Sequence, residues 1–90
     1  MSAKFQIVAS LESDALHLQM RGEFDGSAAC DLIRMLEDGR ETAPQVLVDT
    51  TDLISIHPFG KTVFDHRIGR LSKTTPGLLF IGKNRHHFQS

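Results

Sequence analysis

Tryptophan and tyrosine are absent from this chain of 90 residues, and it holds a single cysteine, Cys30. A lone thiol excludes an internal disulfide and a CxxC redox or zinc motif. Stacking platforms for bases would have to come from six phenylalanines, most of which read as core. Neither sign of charge is in excess. Ten Lys and Arg stand against eleven Asp and Glu, and the net charge of -1 gives no general attraction to nucleic acid or to anionic membranes. No apolar run approaches the roughly 20 residues of a membrane span. The opening "MSAKFQIVAS" lacks the long apolar stretch of a signal peptide. The expected compartment is therefore the cytoplasm. No repeat and no low-complexity segment is present, and only "GRETAP", 39 to 44, reads as a loop-sized linker.

Apolar runs are spread along the whole length, which argues for one small domain over residues 1–90 rather than disorder. Phe5, Ile7 and Ala9 alternate with their neighbours, and so do Leu16, Leu18 and Met20. With "LESD" between them as turn chemistry, they predict two strands paired as a hairpin. "GEFDGS" breaks the alternation, and Asp25 or Ser27 can cap a following helix. Ala29, Leu32, Ile33 and Leu36 recur at helical spacing, with Gly39 as the expected stop. "QVLVDT" carries Val46, Leu47 and Val48, a run that suits a strand buried on both faces. Pro58 then suits the first turn of a second helix. Phe59, Val63, Phe64, Ile68 and Leu71 share one face of that helix, and "TTPG" ends it. "LLFIG", 78 to 82, reads as a second central strand, and "KNRHHFQS" as a polar tail with room for one helical turn, its "RHHF" solvated.

The order strand, strand, helix, strand, helix, strand predicts an α/β fold. Right-handed crossovers give parallel neighbours. The expected sheet is mixed, of about four strands, with the hairpin at one side and the helices on one face. These elements use nearly every apolar residue, which leaves little to line a deep pocket and weighs against a small-molecule enzyme.

"GEFD" at 22 to 25, and the strand, loop and glycine from "VLVDTTDL" to Gly60, resemble a STAS domain. That is the fold of bacterial anti-sigma factor antagonists and of the cytoplasmic ends of sulfate transporters. The resemblance covers roughly residues 4 to 82, and the chain reads as a minimal or C-terminally shortened version. It implies a non-catalytic protein-interaction module in signal transduction and transcription regulation. The implied partner is an anti-sigma factor or kinase-type protein, without cofactor, metal or nucleic acid. The same resemblance admits a small subunit of a membrane transport complex.

The family's loop is altered here. Its Asp is replaced by His57, the next Ser by Pro58, and the phosphorylated Ser or Thr by Phe59, while Gly60 is kept. A phosphate in that place adds about -1.5 to -2 charges to a docking surface. Phe59 has no hydroxyl, so the usual switch is lost. Thr62, one turn into the helix, is the weak candidate for a displaced acceptor, ahead of Thr50, Thr51 and Ser55. The implied partner-binding residues are His57, Pro58, Phe59, Gly60 and Lys61, with Glu23 and Asp25 beside them.

Phe59 is an interface anchor or the first core residue of its helix, and its register with Val63 favours core. His57 is a plain loop residue, a cap, a pH-sensitive contact or a phosphohistidine, in that order. His57, Asp65, His66, His86 and His87 would serve a metal or ligand sensor, but neither HxxxH nor HExxH spacing is present. Asp25 and Asp52 read as a cap and a turn residue rather than as an acidic rim with Asp49. Cys30 reads as a small packed residue. "GKTVF" is like the end of a phosphate-binding loop, but Ser55 stands where the first glycine belongs.

Overall fold

The computed structural model describes residues 4–74 and 77–88. Apolar alternation gives β1 (Gln6–Glu12) and β2 (Ala15–Phe24), which pair antiparallel in unbroken register from Gln6↔Arg21 to Glu12↔Ala15. Their tight turn needs a residue of positive φ, which Ser13 supplies at 52°. Helix α1 (Gly26–Thr42) starts where the sequence predicts: Asp25 is the cap, its Oδ1 accepting from the Ala28 N–H at 2.9 Å. Ala28, Ala29, Leu32, Ile33 and Leu36 form its buried face.

The helix does not stop at Gly39, and residues 39–42 are helical rather than linker. The stop comes from Pro44, which drives the preceding residue out of the α region. Ala43 is extended at φ -144° and ψ 147°, with its N–H on the Gly39 carbonyl at 3.1 Å. Gly39 serves packing instead. A Cβ there would stand 2.6 Å from Leu16 Cδ2, so the missing side chain lets α1 lie close on β2.

β3 (Gln45–Ile56) runs parallel to β2, α2 (Pro58–Thr74) follows, and β4 (Leu78–Ile81) runs parallel to β3. Thr75 and Pro76 of the expected terminator lie outside the described residues. The strand order is β1-β2-β3-β4, a mixed sheet with the hairpin at one side. "LLFIG" is thus an edge strand, not a central one. Leu78 and Phe80 pack on the core while Leu79, on the open face, is 45% exposed. β3 carries one extra residue opposite Gln19–Arg21 and another, Ile54, opposite Gly22–Glu23. Asp52 is accordingly a strand residue, not a turn residue, and it accepts from Gln19 Nε2 at 2.6 Å with Arg21 at 3.7 Å.

Buried residues of β2 and β3 meet both helices in one core. Five of the six phenylalanines, Phe5, Phe24, Phe64, Phe80 and Phe88, form a linked network with ring centroids 5.0–6.2 Å apart. Phe88 corrects the expectation of a solvated tail. A 3-10 turn at Arg85–His87 brings it back, and it is buried among Phe24, Phe64 and Phe80. A polar bracket holds this return. The fully buried Thr50 donates to the Ile81 carbonyl at 2.8 Å and accepts from the Asn84 N–H at 3.2 Å. The Asn84 amide donates to the carbonyls of Thr50 and Leu53 at 2.9 and 3.3 Å.

Candidate functional site

β2 and β3 are parallel and each leads into a helix, so both helix starts lie at one end of the sheet. The His57 N–H donates to the Phe24 carbonyl at 2.9 Å, and the His57 carbonyl accepts from the Lys61 N–H at 3.0 Å. His57 thus ties the end of β2 to the first turn of α2 through its backbone, while its imidazole stays exposed. Pro58 opens the helix, where its missing donor costs nothing.

Gly60 explains the shape of that turn. A Cβ on Gly60 would stand 2.7 Å from both the carbonyl carbon and oxygen of Asp25, and 2.8 Å from the Phe24 carbonyl oxygen. The backbone at the start of α1 occupies the place a side chain would take. Among the described positions of α2, Gly60, Phe64 and Leu71 are buried, with Val63 and Ile68 partly buried. The core-facing position of the first turn therefore belongs to Gly60, and Phe59 is turned outward.

Phe59 is 70% exposed, which corrects its expected place as the first core residue of the helix. Its ring lies over Gly26. A Cβ there would come within 2.7 Å of Phe59 Cε2 and 2.8 Å of Cδ2. The ring is held on one side by the glycine that opens α1 and offers its other side to solvent. Ile54, the extra residue of β3 near the same end, is 67% exposed. Sequence reasoning missed Ile54, because a strand bulge has no signature beyond two adjacent apolar residues, Leu53 and Ile54.

The polar residues around the turn are mostly engaged. Lys61 Nζ lies 2.8 Å from Asp65 Oδ2 one turn on, and the Thr62 hydroxyl donates to the Pro58 carbonyl at 2.9 Å. Ser55 Oγ is buried without a hydrogen-bond partner and Thr50 is fully buried, so neither offers its hydroxyl to solvent. Glu23 is half-buried and pairs across the sheet with Ser55, while Asp25 caps α1. Asp49 Oδ1 accepts from the Thr51 N–H at 2.9 Å, a local contact within β3 rather than part of a rim. The rings of His86 and His87 lie 4.2 Å apart. Among the described residues no group of three His, Cys, Asp or Glu side chains could hold a metal ion. No described helix is long and apolar enough to cross a membrane.

A scan against protein-family models found no match, and a search of curated proteins found none either. Solved structures do match. The crystal structure of Mglu aligns at TM-score 0.72 and 18% identity over 87% of this chain, which spans 20% of that one. The anti-sigma factor antagonist STAS domain from Rhodobacter sphaeroides aligns at TM-score 0.63 and 16% identity, over 90% of this chain and 89% of the other. The fold is STAS-like.

Proposed function

We propose that this chain is a non-catalytic protein-interaction module of the anti-sigma factor antagonist kind. It docks a protein partner through the start of α2 and has no phospho-switch at position 59. One observation carries the reading: five phenylalanines are joined in the core, and the sixth, Phe59, is 70% exposed on a glycine platform. Aromatic residues that can be desolvated against a partner supply much of an interface's energy. His57, Pro58, Gly60 and Lys61 shape the same turn, with Glu23 and Asp25 beside it. The likeness to an antagonist STAS domain supports a regulatory role in the cytoplasm. The absence of a hydroxyl at position 59 supports binding set by partner presence instead of phosphorylation. Thr62, already bonded to the Pro58 carbonyl, is a poor substitute acceptor.

A pull-down from native extract with the wild type and with Phe59→Glu tests this. An anti-sigma factor or switch kinase captured by the wild type and lost with Phe59→Glu supports the proposal. A transporter ATPase lost in the same way assigns the module to a transport complex instead. Identical captures by both proteins argue against docking at this turn. In parallel, incubation with ATP and the captured kinase is expected to leave the chain unmodified. Phosphate mapped to Thr62, with loss of binding, would overturn the switch-free reading.

A further inference from the structure

β1 is an edge strand, and its outer side is free of any other strand among the described residues. Edge strands of stable monomers are usually blunted by lysine, proline, a bulge or very short length. β1 has none of these. Its seven residues, QIVASLE, contain no proline and no lysine, and its register with β2 is unbroken. The strand is exposed at every residue except Ile7, and Val8 and Leu11 are 49% and 58% exposed. The opposite edge, β4, is four residues long and offers a much shorter ladder.

We propose that β1 pairs antiparallel with β1 of a second copy of this chain, about a two-fold axis at Val8. The sequence is self-complementary in that register. Ile7, Ala9 and Leu11 oppose Met20, Leu18 and Leu16 on β2, so they share the helix side of the sheet. About the axis, Ile7 meets Ala9 of the second copy and Leu11 meets its Phe5, keeping apolar beside apolar. Gln6 meets Ser10, and Val8 meets its own counterpart on the open face. Lys4, exposed just before the strand, meets Glu12 at both ends, so the charges are paired. Because odd positions meet odd and even meet even, the helices of both copies lie on one side of a continuous sheet. The two large exposed apolar residues of β1, Val8 and Leu11, are then covered. This surface is separate from the start of α2, so it does not depend on the docking proposal.

Sedimentation equilibrium of the purified chain over a micromolar to millimolar dilution series tests the pairing. The wild type is expected to show a reversible dimer. Val8→Glu and Val8→Lys each place like charges across the axis, and each is expected to be monomeric where the wild type is dimeric. An equimolar mixture of the two is expected to recover the dimer. A wild type that stays monomeric throughout overturns the proposal, as do two variants that dimerise like the wild type. Folded, monomeric variants whose mixture stays monomeric overturn the register. A readout without substitutions is hydrogen exchange: β1 amides gain protection as concentration rises, and concentration-independent exchange contradicts the pairing.

Discussion

Phe59 and Phe64 stand five residues apart on one helix and have opposite surroundings. Phe64 is fully buried and touches Phe24, Phe80 and Phe88. Phe64→Ala is expected to cost about 3–5 kcal/mol of folding stability. Phe59→Glu is expected to change stability by no more than about 0.5 kcal/mol, as at other surface sites. Urea unfolding of the two variants checks the contrast, and comparable losses would mean that Phe59 supports the core. Gly60 gives a sharper case, because two effects have opposite signs. Helix propensity alone would make Gly60→Ala stabilising by about 1 kcal/mol. The Asp25 backbone, 2.7 Å from the added Cβ, makes it destabilising, since overpacking costs about 1–3 kcal/mol. A lowered melting temperature is therefore expected, and a raised one would show that the two helix starts can separate without cost.

At the scale of elements, the start of α1 was legible because a cap is a local event: Asp25 needs only the N–H three residues on. Its end was misread for an equally local reason. Gly39 and Pro44 are both plausible stops, and proline decides because it restricts Ala43 directly, whereas a glycine inside a helix is tolerated when it makes room. The mixed sheet followed from element order, while the edge position of β4 did not, since a short apolar run looks the same at an edge. The Thr50–Asn84 bracket was not legible at all. It spans 34 residues and forms only once β3 and the C-terminal return are in place. Thr50→Val keeps the shape of the side chain and removes its hydrogen bonds. It is expected to cost about 1–3 kcal/mol, because the Ile81 carbonyl and the Asn84 N–H lose a partner. A fall in denaturation midpoint at unchanged m-value would register it.

For the whole molecule, the STAS-like fold places the two helix starts side by side, and that placement makes a surface of the 57–61 turn. The sequence located the turn through Pro58 and Gly60 but put Phe59 on the wrong side. Helical spacing groups Phe59 with Val63, and nothing in the local pattern reveals that the α1 backbone already fills the core side of the first turn. The central claim is that Phe59, exposed on Gly26, anchors a protein partner without a phosphate switch. Its most direct test is calorimetric titration of the captured partner with the wild type and with Phe59→Glu, both shown to melt alike. The account predicts a loss of affinity of more than about tenfold for Phe59→Glu, the scale of removing an interface anchor. Equal affinities for the two proteins would contradict it.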